Sequence, residues 1–177
     1  MSLGTAVARL SDADRLLMRR VQRWTPQRWL RWWMLWATRA GDGWLWVLAG
    51  AAVLASGTEN SYRAFGAAAA AVASGVALFS VLKRVVGRRR PCHAERQCWH
   101  SLLPPDQFSF PSGHSITAFA VAVTLGSFYP PALSGLLFCA LSVAASRVVL
   151  GMHFLSDVVV GCLIGSTLGC LAFSLMG

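Results

Sequence analysis

The sequence predicts an all-α, polytopic membrane helix bundle of about six helices, with residues 1–177 forming one domain. Two observations carry this prediction. Of the 177 residues 55% are hydrophobic and mean hydropathy is +0.53, well above ordinary soluble domains. The apolar residues also fall in runs long enough to cross a bilayer, near 42–58, 62–86, 112–129, 131–151 and 154–176.

Residues 1–25 come first as a basic amphipathic segment, with Leu, Val and Met interleaved with Arg9, Arg15, Arg19, Arg20 and Arg23. Asp12 and Asp14 interrupt the start, and no small-residue cleavage site follows an apolar core, so a cleavable signal peptide is not expected. The stretch 26–40 is short and carries Arg28 and Arg31, and two readings stand for it: a span with snorkelling arginines, or a helix lying along the surface. Trp24 to Trp46 hold most of the eight Trp, which read as interfacial anchors. The alanine-rich run Gly66 to Gly75 reads as a closely packed helix.

The net charge of +9 raises nucleic acid as a partner. The cations lie at the N-terminus and in one short cluster, with no soluble basic and aromatic groove, so no nucleic-acid partner is expected. The expected partners are the bilayer and a phosphate-bearing membrane lipid.

From Gln107 onward the only formally charged residues are Arg147 and Asp157, and the only histidines are His114 and His153. Ionisable groups in a membrane span mark function by default. His153 and Asp157 are four apart, one helical turn on one face. A carboxylate there can accept from one imidazole nitrogen, fixing the tautomer and freeing the other lone pair. A buried His–Asp pair that only joins helices is the plainer reading. Gly151 lets the chain turn between Arg147 and His153.

The cluster Lys83 to Pro91 ends the second clear run. On a continuing helix, Lys83 and Arg90 would project from nearly one face, two turns apart. Positive-inside topology explains an Arg cluster but not the lone lysine, the spacing or the following Pro. With Arg147, these cations make a phosphate site. Pro111 and Ser112 lead into a helix carrying His114, so Ser112, Gly113 and the helix N-terminus can offer donors to an anion.

Lys83, six residues, Arg90-Pro91; Pro111-Ser112-Gly113-His114; Ser146-Arg147, five residues, His153, three residues, Asp157: this composite resembles the three-part signature of the type 2 phosphatidic acid phosphatase (PAP2) superfamily. The resemblance covers residues 83–157 and is complete at every motif position. It implies a six-helix membrane fold with its site at the outer face of the cell membrane, metal-independent dephosphorylation of lipids, and no cofactor. By that resemblance His153 attacks phosphorus and forms a phosphohistidine, Asp157 orients it, and His114 protonates the leaving oxygen and then activates water. Lys83, Arg90, Arg147, Ser112 and Gly113 hold the phosphoryl oxygens. A single intramembrane carboxylate, Asp157, offers no metal cluster.

With the site outward, the C-terminus is cytoplasmic, and a spanning first segment would leave the Arg-rich N-terminus cytoplasmic too. The loop 92–110 would then face an oxidising compartment, where Cys92 and Cys98 suit a disulfide; zinc on these two with His93 and His100 is the lesser alternative. Cys139, Cys162 and Cys170 read as packing residues. Gly161, Gly165 and Gly169 form a small-residue ridge for a neighbouring helix of the same chain, so a monomer or weak homo-oligomer is expected.

The substrates implied are a polyisoprenyl diphosphate such as undecaprenyl diphosphate, phosphatidate or phosphatidylglycerophosphate. The same residues would serve a lipid A phosphatase or a lipid phosphotransferase. The membrane composition argues against the haloperoxidase chemistry of the wider superfamily. Two readings from other classes are a non-catalytic anion transporter and a membrane scaffold.

Overall fold

A computed structural model describes residues 3–91 and 107–177. Among these residues the chain forms seven α-helices: α1 (Leu3–Arg23), α2 (Arg28–Ala40), α3 (Trp44–Ala55), α4 (Ser61–Val86), α5 (Gly113–Phe128), α6 (Leu133–Val149, entered through a 3-10 turn at Pro130–Ala132) and α7 (Leu155–Met176). The fold is a polytopic membrane helix bundle.

Helix α5 is its axis, packed on α4, α6 and α7. Its Ala118, Ala120 and Ala122 are fully buried, because small side chains let neighbouring backbones come close. The closest approach is to α7. A Cβ on Gly161 would stand 2.8 Å from the Ser112 carbonyl oxygen, one on Gly165 2.3 Å from that of Ile116, and one on Gly169 2.9 Å from that of Ala120. The glycine ridge therefore keys α7 onto α5 within one chain, as its spacing predicts. On α4, Ala64, Ala67, Ala68, Ala71 and Gly75 are buried, and a Cβ on Gly75 would meet Ile116 at 2.7 Å.

Helices α4 and α7 and the stretch Pro130–Val149 are long and apolar enough to cross a membrane. Helices α3 and α5 are shorter than the runs that predicted them. Twelve and sixteen residues rise about 18 and 24 Å, against a hydrocarbon core of about 30 Å. The apolar run of α3 is cut by glycines with positive φ, Gly43 at 129° and Gly57 at 60°, and α5 is bounded by its cap Ser112 and by Pro130.

The largest departure from expectation is at the N-terminus. Helix α2 has 13 residues, a rise of about 20 Å. Its Met34 packs with Leu150 and Met152, in the turn between α6 and α7, and its buried Thr38 bonds Arg147. On α1, Asp14 accepts from the Ser156 backbone N–H at the start of α7. Helix α1 thus rests on the end of the bundle that carries the motifs, while α2 packs along α6, its Trp33 edge-on to Phe138. At 13 residues α2 is too short to cross the hydrocarbon core unaided, and the basic N-terminal segment lies on the motif face instead of opposite it. The physical reason is Asp14, whose carboxylate faces inward to partners at that end of the bundle.

Trp24, Trp29, Trp32, Trp36 and Trp44 are exposed along this region, while Trp46 turns into the core. Cys139 and Cys162 are half-buried, and Cys170 is exposed on α7 instead of packed. The disulfide expected between Cys92 and Cys98, and the zinc alternative with His93 and His100, lie outside the described residues.

Candidate active site

The motif residues are gathered by three chain reversals. The first follows α4. Gly87 takes the left-handed conformation (φ 58°) and its N–H caps the Lys83 carbonyl, ending the helix. The helix that was expected to run on from Lys83 to Arg90 therefore stops between them, and Arg90 reaches the site from an extended segment. That segment pairs with the approach to α5: Ser109 N–H donates to the Arg88 carbonyl at 2.8 Å, and Arg90 N–H to that of Gln107 at 3.3 Å.

The second reversal is the start of α5. Ser112 is fully buried, its oxygen accepts from the Ser115 hydroxyl at 3.0 Å, and its N–H donates to the Asp157 carbonyl at 3.1 Å. Ser112 is thus the N-cap of α5, and its hydroxyl is turned into the helix junction. The Phe79 ring lies beside Gly113, 3.3 Å from where a Cβ would stand, and Lys83 Nζ is 5.1 Å from the ring centroid, so Phe79 links Lys83 to the start of α5.

The third is the turn from α6 to α7, where Gly151 has φ 72° and the N–H groups of Met152 and His153 both close on the Arg147 carbonyl at 3.0 and 3.1 Å. This turn delivers His153, 1% exposed, and Arg147, 5% exposed, to one place.

His153 is held at both nitrogens. Nδ1 donates to the Ser109 carbonyl at 2.7 Å, which makes Nε2 the lone-pair nitrogen, and the Arg90 guanidinium donates to Nε2 at 2.9 Å while also donating to the Met152 carbonyl at 3.0 Å. Asp157 was expected to fix this tautomer, yet its Oδ2 lies 3.8 Å from Nδ1, an ion-pair distance and not a hydrogen bond. That oxygen instead accepts the Phe154 N–H at 2.9 Å, and Oδ1 accepts from Arg88 at 2.7 Å. The tautomer is set by a backbone carbonyl, and Asp157 acts on the ring as a nearby charge. Burial drives the His153 imidazole down to about 3; Asp157 opposes this, and the Arg147 and Arg90 cations add to it.

His114 has a different partner. Its Nε2 is 2.7 Å from Asp42 Oδ1, and Asp42 comes from the turn between α2 and α3. That turn comes close because position 41 is glycine: a Cβ there would stand 3.2 Å from the His114 ring and 2.6 Å from Val143. Arg147 and Arg90 are charged neighbours of both histidines. A groove of about 440 Å³ runs from Asp42 between α3, α4 and α5, walled by small and apolar residues such as Gly50, Ala69, Val72, Val121 and Leu125.

The structure therefore brings together His114, His153, Asp157, Arg90 and Arg147, with Lys83 and Gly113 beside them and Ser112 as the cap beneath. Sequence reasoning missed Asp14, Thr38, Asp42, Arg88 and the Ser109 carbonyl. Only Arg88 lay inside a cluster already singled out. The profile of the PAP2 superfamily matches residues 64–177, a stretch that includes all three reversals. The chain belongs to the PAP2 superfamily.

Three proteins illustrate what this PAP2 member is similar to. A decaprenylphosphoryl-5-phosphoribose phosphatase of Mycobacterium tuberculosis is 34% identical over 135 residues, 76% of this chain and 72% of that protein. A lipid A 1-phosphatase of Rhizobium johnstonii is 34% identical over 93 residues, 50% of this chain and 38% of its own length. The crystal structure of a transmembrane PAP2 type phosphatidylglycerolphosphate phosphatase from Bacillus subtilis superposes with a TM-score of 0.74 at 26% identity, covering 94% of this chain and 85% of that one.

Proposed function

We propose that this PAP2 member, a multi-pass membrane lipid phosphatase, cleaves a phosphoryl group from a polyisoprenyl-linked phosphate or diphosphate through a phosphohistidine on His153. The observation that carries the reading is the pairing of Arg90 with His153 Nε2: a nucleophile with a fixed tautomer already faces a group suited to hold phosphoryl oxygens. Nε2 attacks phosphorus, the bond to the leaving oxygen breaks, and His114 supplies that oxygen's proton. Water then attacks phosphorus, the P–N bond returns its electrons to Nε2, and His114 takes the water's proton. Arg90, Arg147 and Lys83, with the Gly113 end of α5, stabilise the charge on the equatorial oxygens. Ser112 supports that helix end as its cap.

The apolar groove from Asp42 suits a long lipid chain leading to the site. A relative that acts on a decaprenyl-linked sugar phosphate favours a polyprenyl substrate, with undecaprenyl diphosphate, phosphatidate and phosphatidylglycerophosphate as the other members of the panel. The test is phosphate release in EDTA by detergent-purified protein with each lipid, beside His153→Ala. Release that disappears in the variant, with acid-labile phosphate on the wild-type chain, is the expected result. Undiminished release by His153→Ala would refute the mechanism.

The outward-facing site implied by the family resemblance is kept in this reading, and it places the C-terminus in the cytoplasm. One observation favours the opposite orientation. Asp14 ties α1, with Arg15, Arg19, Arg20 and Arg23, to the motif face, whereas the other end of the bundle has Arg63 beside Glu59. The positive-inside trend puts the richer face in the cytoplasm. Alkaline phosphatase fused after Gly177 is inactive if the site faces outward and active if it faces inward.

A further inference from the structure

Beside the histidine lies a second ionic cluster that the reaction above does not use. Arg88 Nη1 donates to Asp157 Oδ1 at 2.7 Å and to the Ser156 hydroxyl at 2.8 Å, and its Nη2 donates to Asp14 Oδ2 at 2.9 Å. Asp14 in turn accepts from the Ser156 N–H at 3.2 Å and from the Ser156 hydroxyl. The Arg88 guanidinium lies 4.1 Å from the Phe154 ring centroid, so its face is covered as well as its edges. Asp157 is fully buried and Asp14 is 6% exposed.

This arrangement separates Arg88 from Arg90, two residues on. Arg90 donates to the nucleophilic nitrogen, whereas Arg88 spends donors of both its terminal nitrogens on carboxylates and a hydroxyl. A carboxylate with one oxygen fixed by Phe154 N–H and the other by Arg88 cannot rotate, so its charge stays at 3.8 Å from His153 Nδ1. Two buried carboxylates converge on Arg88, and removing the cation would leave them facing each other without compensation. Ser109, whose carbonyl accepts a hydrogen bond from Nδ1, also donates its own N–H to the Arg88 carbonyl. Both groups that set the ring are therefore attached to the same residue.

We infer that Arg88, clamped by Asp14 of α1, is a positioning residue for the His153 nucleophile, so that the N-terminal helix completes the active site. The Arg88 side chain acts through Asp157, its backbone carbonyl holds Ser109, and it is not a ligand of the phosphoryl group. The inference rests on the reading of His153 as nucleophile. It makes α1 a working part of the enzyme, although α1 lies wholly outside the motif-bearing residues.

The experiment uses full-length protein in detergent with ³²P-labelled phosphatidate and ³²P-labelled undecaprenyl diphosphate, following labelled protein by rapid quench and turnover at steady state. Wild type and His153→Ala are run first; absence of a His153-dependent label would reject the nucleophile reading itself, separately from the role of Arg88. Given that label, Arg88→Gln should slow its formation and lower kcat by about 10- to 100-fold with KM within about twofold, since an orienting partner is lost and a substrate ligand is not. Arg88→Lys should recover part of the rate, and Asp14→Asn, which keeps volume, should lower kcat in the same direction by a smaller factor. If Arg88→Gln does not fold, the other two substitutions carry the test. A raised KM at unchanged kcat would make Arg88 a substrate ligand and overturn the inference. Wild-type kcat with only reduced thermal stability would make the cluster a structural strut and overturn it equally.

Discussion

The Arg90 guanidinium donates to Nε2 of His153 across 2.9 Å, so the cation that would hold the substrate's phosphoryl group occupies the attacking nitrogen beforehand. For attack to occur, Arg90 must exchange that nitrogen for a phosphoryl oxygen. The exchange brings the oxygen beside the lone pair it uncovers. Arg90→Lys keeps the charge but loses the planar Nη1 that serves both His153 and the Met152 carbonyl, and the second terminal nitrogen beside it. Its kcat/KM is expected to fall about 10²- to 10³-fold in a lipid phosphatase assay, most of it in kcat.

Asp42 bears on the other histidine. If it orients His114 for protonating the leaving oxygen, Asp42→Asn should slow hydrolysis of a lipid alkyl phosphate about tenfold or more. A nitrophenyl phosphate ester leaves without a proton, so the same substitution should scarcely change the rate at which it phosphorylates the enzyme, read before water attacks the intermediate. An equal loss on both substrates in that first step would assign Asp42 to binding or folding.

The pH dependence of stability follows from burial of His153. Its imidazole is lowered to about 3 in the folded protein, against 6.5 for an exposed histidine. Between those values the unfolded chain takes up a proton that the folded chain refuses, so the contribution of this group to stability falls as pH drops below 6.5. The slope is about 1.4 kcal/mol per pH unit at its steepest. Thermal melts of wild type and His153→Gln from pH 7 to pH 5 should show the variant losing less stability on acidification. Parallel curves would contradict the assignment.

The glycine ridge gives a packing test with an internal control. Gly165→Ala places a methyl group 2.3 Å from the Ile116 carbonyl oxygen and should destabilise the protein by about 1–3 kcal/mol. At Gly66 no atom would lie within 4 Å of a new Cβ, so Gly66→Ala should be neutral or raise stability by up to about 1 kcal/mol through helix propensity. Thermal unfolding in one detergent decides between them.

The site was legible where chemistry and spacing coincide. Lys83, Arg90, His114, Arg147, His153 and Asp157 are costly inside an apolar chain, so each stood out before any contact was known. The residues that escaped notice are those whose meaning is tertiary. The Ser109 carbonyl has no side-chain signal, and Thr38 and Asp42 are ordinary polar residues until the α2–α3 turn folds over Val143 and His114. An amphipathic pattern marks α1 as lying on a surface but carries no information about which end of the bundle it covers; Asp14 decides that. Gly87 was a readable stop signal, placed after an apolar run and before the Arg cluster, and its left-handed turn is why Lys83 and Arg90 do not share a helix.

The histidines ride on the two most closely keyed helices, His114 on the first turn of α5 and His153 just before α7. With carbonyl oxygens of α5 standing where Cβ atoms of α7 would be, neither helix can slide without collision. The reacting centre therefore has a closely packed spine, and the groove beside it is walled by α3, which is short and packs chiefly on α4. Asp42 lines that groove where α3 joins α2 and also holds His114, so one turn of chain borders both the space suited to a lipid tail and the second histidine.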